Sequence, residues 1–160
     1  MASARLSGGM RRAFRAPIWL YRCKLGWMLG HRFLLLIHTG RRTRRRRSTV
    51  LEVMEFRKAT GEMVVMCAFG PSADWYRNIQ AMPDFEVMSG SKRFRACYRR
   101  LDKEEAAQVI GNYERRNRFL GPVVRTVLSK LLGWRYDGSE DARRRAAAEL
   151  PLVSFRPKSD

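Results

Sequence analysis

The chain has 160 residues, with 33 Lys+Arg against 15 Asp+Glu and a formal charge of +18. That length is near one ordinary domain, and 45% hydrophobic with 11% aromatic residues describes a body with a buried core, not a disordered polycation. The scattered cysteines Cys23, Cys67 and Cys97 form no C-x-x-C pair, and His31 and His38 have no acidic neighbours, so the pattern excludes a disulfide framework and predicts no metal site.

The charge is uneven. Residues 1–47 hold 12 Arg and Lys24 with no acid, giving +13, and the remaining residues supply +5. From Met10 to Leu29 the apolar residues Met10, Phe14, Ile18, Tyr21, Leu25 and Met28 recur at helical spacing, opposite Arg11, Arg15, Arg22 and Lys24. Residues 1–30 therefore read as a basic amphipathic helix. It is expected either to pack on the body or to lie on an anionic membrane surface, where Trp19 and Trp27 would suit. Met10-Arg11-Arg12 is not followed by an apolar export signal, and the longest uncharged apolar stretch, Phe33 to Gly40, is far short of the ~20 residues that span a bilayer. The expectation is a cytoplasmic protein, peripheral at most to the inner face of the cell membrane.

Residues 31–156 read as one domain. Phe33 to His38, ended by Thr39-Gly40, predicts a buried strand, and Ser48 to Phe56 a second. Ala59-Thr60-Gly61 turns the chain into a third, Glu62 to Phe69. Gly70-Pro71-Ser72 breaks it, and Ser72 or Asp74 is expected to cap a short helix through Met82, stopped by Pro83. Phe85 to Met88 and Arg93 to Leu101 predict a hairpin across Ser89-Gly90. Within the helical segment 102–149, Asp102 with Glu105 forms a capping-box pattern for a helix to about Asn117. Apolar pairs at 119/120, 123/124, 127/128 and 131/132 make a broad stripe, ended by Gly133 and expected over the barrel mouth or in self-association. Gly138-Ser139 starts a helix over Glu140–Glu149, and Pro151 to Phe155 closes as a strand. Clustered strands without βαβ alternation predict an α+β domain around a mostly antiparallel barrel. Cys67 and Cys97, in apolar runs, are expected as small core residues.

Two segments carry chemistry. Gly40-Arg41-Arg42-Thr43-Arg44-Arg45-Arg46-Arg47-Ser48-Thr49 places six arginines in eight residues between two predicted strands. Guanidinium forks bind phosphate or carboxylate oxygens, so this loop suits an anionic ligand. Trp75-Tyr76-Arg77-Asn78 opens a helix, where unpaired N–H groups and an aromatic wall could meet a planar anion. Taken alone, a W-Y pair is also a common core anchor.

Together, G-R-R-T-(x)3-R-S-T after the strand Leu34–Thr39, a hairpin, then D-W-Y-R-N-I and M-P-D-F-E-V, resemble the deazaflavin-dependent nitroreductase family. Its pattern is a strand ending T-T-G-R-[KR]-[ST]-G-x-P-R, a hairpin, and a P-x-W-Y-x-N-L-x-x-N-P helix. In place of G-x-P after Thr43 stands Arg44-Arg45-Arg46, so the turn geometry is expected to differ. The resemblance implies a split β-barrel, of the FMN-binding split-barrel type, that binds the deazaflavin coenzyme F-420 in a basic groove. It implies that Arg41, Arg42, Thr43, Arg47, Ser48, Thr49 and Val50 line the phosphate and tail channel. Cys67, Ala68, Phe69, Asp74, Trp75, Tyr76, Arg77 and Asn78 would contact the ring and its side chain. Glu52 and Tyr113 fall at substrate-side positions, with Arg116 and Phe119 where the family places further tyrosines.

The implied activity is an oxidoreductase passing a hydride from reduced coenzyme to a quinone-like, nitro or unsaturated small molecule. No residue stands out as an obligatory acid or base. A homodimer fits the resemblance, and no specific nucleic acid is expected. An FMN enzyme on the same barrel, or a basic module for nucleic acid or anionic membranes, are the alternatives.

Overall fold

A computed structural model describes residues 30–159. The helix expected from Met10 to Leu29, Cys23, and the unit 1–30 apart from Gly30 lie outside the described residues.

Six strands, β1 (Phe33–Thr39), β2 (Arg46–Arg57), β3 (Glu62–Met66), β4 (Phe85–Ser89), β5 (Lys92–Arg100) and β6 (Leu152–Pro157), close a barrel in the order β1-β2-β3-β6-β5-β4. Every neighbouring pair is antiparallel. The helices are α1 (Asp74–Ala81), α2 (Lys103–Arg116), α3 (Gly121–Leu132) and α4 (Glu140–Glu149). The α+β split barrel expected from the sequence is the observed fold.

Alternation along the strands explains how one sheet serves two cores. In β1, Leu34, Leu36 and His38 are buried while Phe33, Leu35, Ile37 and Thr39 are half-buried. Inside the barrel, Leu34, Leu36, Val53, Val65, Val87 and Phe155 meet Trp75, Tyr76 and Ile79 of α1. Trp75 and Phe85 lie 6.2 Å and 5.7 Å from the Phe155 ring centre. Val64, the neighbour of Val65, belongs instead to a second core outside the barrel, with Met54, Leu101 and Leu152 against α2, α3 and α4. A strand buried on both faces reads as a continuous apolar run, which is what Met63-Val64-Val65-Met66 shows.

The ends of elements depart from the sequence reading. β2 begins at Arg46, so Arg46 and Arg47 are strand residues opposite Thr39 and His38, and the loop proper is only 40–45. β3 stops at Met66, not Phe69, because the Gly70 amide bonds back to the Cys67 carbonyl at 2.9 Å and Gly70 takes φ +69. Neither Ser72 nor Asp74 caps α1. Ala73 stands at the cap position, Ser72 Oγ bonds the Phe69 carbonyl at 3.3 Å, and Asp74 lies in the first helical turn. Cys97 is not a core residue: Ala96 points inward, so Cys97 faces out, with Arg156 Nε 3.3 Å from its Sγ. In the loop turn Arg44, which stands where the family pattern has glycine, takes the left-handed conformation at φ 54.

Asp102 caps α2 as expected, accepting from the Glu105 amide at 2.9 Å. The Glu105 carboxylate bonds Arg57 at 2.9 Å and Arg99 at 2.7 Å. Asp102→Ala should lower stability by about 1 kcal/mol, measured by denaturant unfolding. The stripe from Phe119 to Leu132 divides. Leu128, with the half-buried Val124, Leu131 and Leu132, packs into the outer core, while Phe119, Val123 and Val127 remain exposed. This packing puts α3 on the flank of the barrel rather than over its mouth.

Candidate functional site

The buried face of β1 ends on a polar residue. Period two continues Leu34 and Leu36 into His38, only 3% exposed. A buried imidazole needs partners, and the fold supplies one on each side. His38 Nδ1 lies 3.2 Å from Asn78 Nδ2 of α1, and His38 Nε2 lies 3.3 Å from Thr49 Oγ1 of β2. Asn78 Oδ1 accepts from the Arg41 backbone N–H at 3.1 Å and from Arg41 Nη1 at 2.9 Å.

These contacts fix the direction of every bond. Two N–H donors from Arg41 hold the Asn78 oxygen towards the loop, so its amide N–H faces His38. Nδ1 therefore accepts, and Nε2 carries the ring proton and donates to Thr49. Burial, with the Arg47 charge adding to it, pushes the His38 pKa below its ordinary value, so the ring is neutral at pH 7. Because Thr49 Oγ1 accepts from His38, its own proton remains available to an acceptor in the adjoining cleft.

That cleft, about 620 Å³, is lined by His38, Arg47, Ser48, Thr49, Phe69, Ser72, Ala73, Asp74, Trp75 and Asn78. Arg47 gives the lining its cation, while Arg42, Arg44 and Arg45 are exposed on the adjoining loop, Arg44 with Nη1 3.2 Å from Met82 Sδ just past the end of α1. Gly40 keeps the loop tight, since a Cβ there would stand 2.8 Å from Thr43 Oγ1 and 3.0 Å from Arg47 Nε. The first turn of α1 has no side-chain cap, which leaves backbone N–H groups at the cleft wall. Cations, amide donors, a hydroxyl and the rings of Phe69 and Trp75 suit a ligand that is anionic at one part and flat at another.

Of the residues singled out in the sequence, Arg47, Ser48, Thr49, Phe69, Asp74, Trp75 and Asn78 meet in this cleft. Arg41 is committed elsewhere, to Asn78 and to Asp74 Oδ1 at 3.0 Å, so it ties the loop to α1. Tyr76 is buried in the barrel core, 5.6 Å from Trp75 and 6.4 Å from Tyr98. Cys67 donates its thiol to the Gly70 carbonyl at 2.8 Å, and burial pushes its pKa up to about 12, so it is no nucleophile. Arg42, Thr43 and Arg77 are exposed, and Val50 and Ala68 are half-buried outside the lining.

Glu52 and Tyr113 come together, but not here. Tyr113 Oη donates to Glu52 Oε1 at 2.8 Å in a separate pocket of about 400 Å³ shared with His31, Phe56 and Arg116. Arg47, Ser48 and Thr49 line the first pocket and Glu52 and Val53 the second, so at roughly 3.4 Å per residue their nearest lining residues stand about 10 Å apart along β2. Burial, then the Glu52 carboxylate, raises the Tyr113 pKa, so the phenol stays protonated.

Sequence reading missed His38 as a site residue. The signal was present: a polar side chain in phase with buried Leu34 and Leu36 must be satisfied from within. Ser72 and Ala73, also in the lining, carry no comparable mark.

Comparison with known proteins places the fold. HutZ, a heme storage protein from Vibrio cholerae, is 12% identical, with 88% of this chain and 90% of that one covered at TM-score 0.50. A pyridoxamine 5'-phosphate oxidase-related, FMN binding protein from Nostoc punctiforme is 15% identical, over 98% of this chain and 83% of its own, at TM-score 0.47. The F420-H2 dependent reductase FDR-A is 17% identical, over 78% of this chain and 94% of its own, at TM-score 0.44. No curated protein matches. No described helix is long and apolar enough to cross a membrane. A family model described as F420H(2)-dependent quinone reductase matches residues 13–118, about two-thirds of the chain, from before β1 to past the end of α2. The chain belongs to that family and is an oxidoreductase whose cofactor is coenzyme F-420.

Proposed function

We propose that the cleft between the β1–β2 hairpin and the start of α1 holds coenzyme F-420, and that the enzyme reduces a quinone-like, nitro or unsaturated small molecule. The observation that carries this reading is the one-way chain Arg41–Asn78–His38–Thr49, which offers a hydroxyl proton inside a cleft that Arg47 lines, beside a loop of exposed arginines. The reduced coenzyme, when bound, supplies the hydride. The chain binds and orients it. Thr49 and the first-turn amides of α1 donate to its acceptors, while Phe69 and Trp75 wall its flat part. Arg42, Arg45 and Arg47 follow its acidic tail as mobile counter-charges. Neither titratable candidate nearby is poised to protonate an acceptor: His38 is neutral with both ring nitrogens bonded, and Cys67, outside the lining, is held as a thiol. The acceptor's proton then comes from solvent.

Titration with oxidised coenzyme, followed by ring fluorescence, should saturate at micromolar concentration; no saturable change there overturns the assignment. Arg47→Ala should weaken binding several-fold at low salt and less at high salt, because exposed charge is screened. Tyr113→Phe should alter coenzyme affinity less than twofold, since its pocket is separate. Turnover of reduced coenzyme with quinones, nitro compounds and unsaturated carbonyls tests the acceptor class. Reduction of none of the three would sink that half of the reading.

A further inference from the structure

Helix α3 lies outside the stretch that the family shares, and half of its apolar surface is uncovered. Phe119 is 85% exposed, Val123 59%, Val127 49% and Leu120 48%; the first three, four residues apart, form one row on the outer side of the helix. The inner row, through Leu128, anchors α3 to the outer core. From Arg115 to Tyr136 the chain has no acid, and α3 with its flanks carries Arg118, Arg125, Lys130 and Arg135; Arg115 and Arg116, at the end of α2, bond Asn112 Oδ1 and the Met54 carbonyl instead. None of these four forms an ion pair with a described residue; Arg125 leans over Gly138, beside Asp137, which leaves Arg118 and Lys130 nearest the row. The Arg118 guanidinium lies 4.9 Å from the centre of the exposed Phe119 ring, and Lys130 follows Val127 one turn on.

Charge decides what can cover this row. A second copy packed face to face would set these cations against themselves. Residues 1–29 of the same chain carry Arg5, Arg11, Arg12, Arg15, Arg22 and Lys24 with no acid, so they repel the surface as well. A nucleic acid would answer the cations but leave Phe119, Val123 and Val127 in water. A surface that is anionic at its boundary and apolar below it answers both. We propose that the outer row of α3 is a docking face for an anionic lipid membrane. Phe119, Val123 and Val127 enter the acyl boundary, with Arg118 and Lys130 at the headgroups. The proposal is independent of where the coenzyme sits.

The full chain should float with vesicles of phosphatidylcholine containing phosphatidylglycerol and not with phosphatidylcholine alone, and added salt should weaken the association. Phe119→Ser/Val127→Ser should lower the partition onto anionic vesicles about tenfold or more, and Arg118→Glu/Lys130→Glu should do likewise. Since these residues are exposed, unchanged melting curves show that the fold survives. Three results would overturn the proposal. One is no association of the unaltered chain with anionic vesicles. Another is equal association of the apolar double variant, which would assign binding to a different surface. The third is conversion of a dimer to a monomer by that variant, which would make the row a subunit interface.

Discussion

Asn78→Asp should lower coenzyme affinity about tenfold while costing the fold no more than about 1 kcal/mol. The aspartate keeps an oxygen for the two Arg41 donors, so the loop stays tied to α1. It has no N–H for His38. The neutral imidazole then takes its other tautomer, with the ring proton moved from Nε2 to Nδ1 to donate to the introduced carboxylate; Nε2 becomes the acceptor, and Thr49 must turn its proton back to the ring. The hydroxyl is lost to the ligand without any atom of the cleft having moved. Because the added negative charge also disfavours an anion, the effect is apportioned by a cycle with Thr49→Val. Thr49→Val alone should weaken binding about tenfold, and in the Asn78→Asp background should add little. Ring-nitrogen chemical shifts would report the exchanged tautomer directly. Full additivity of the two losses would break the proposed relay. Asn78→Leu, by contrast, orphans the Arg41 backbone N–H and His38 Nδ1, while Arg41 Nη1 keeps Asp74, and should cost about 2–3 kcal/mol, read from urea unfolding.

Arg57→Met should destabilise by about 3 kcal/mol, the largest effect expected of a charged residue in this molecule. Its guanidinium sits among three carboxylates, 2.7 Å from Glu55, 2.7 Å from Glu62 and 2.9 Å from Glu105. Glu62 is buried, and Arg99 completes the cluster from β5. Removing the central cation leaves carboxylates facing one another at the junction of β2, β3 and α2. The pH dependence carries a sign that can be checked. Hydrogen bonds from Arg99, then Arg57, hold the Glu105 pKa down to about 2 against the pull of burial. Burial acts to raise the Glu62 pKa, but Ser154, Arg57 and Arg99 keep it below the usual carboxylate value. Folded values below the unfolded ones mean that this stabilisation is present above about pH 4.5 and is lost as pH falls towards 2. For Glu105 the shift corresponds to at most about 3 kcal/mol, reduced to about 1–2 kcal/mol because Arg99 is half exposed. In Arg57→Met the loss of stability between pH 7 and pH 3 should shrink, since protonation then relieves repulsion. An unchanged pH slope in denaturant titrations would show that the cluster is not coupled.

The strands and their order along the chain were legible because their alternation is strong and their turns carry Gly, Pro or Ser. Element ends were less so. Arg46 and Arg47 read as loop because six arginines dominate their neighbourhood, yet cross-strand pairing with Thr39 and His38 draws both into β2. Ser72 and Asp74 are good caps by type, but the turn at Gly70 places Ala73 at the cap instead. In the site, Thr49, Trp75 and Asn78 were visible through a motif, whereas the role of Arg41 was not. An arginine beside a phosphate-like loop and an arginine that clamps a helix look alike until Asp74 and Asn78 are brought within 3.0 Å of it. The separation of Glu52 and Tyr113 from the cleft is a matter of strand register, which no local pattern expresses.

Arg44 holds φ 54 where a glycine would rest without strain. For a side chain with a Cβ that conformation costs about 1 kcal/mol, so Arg44→Gly should raise stability by roughly that amount while removing one charge from the loop. The molecule thus keeps a cation at a position where its backbone would be more stable without one. The gain from Arg44→Gly should appear in melting temperature, and the lost charge as weaker capture of the acidic coenzyme at low salt.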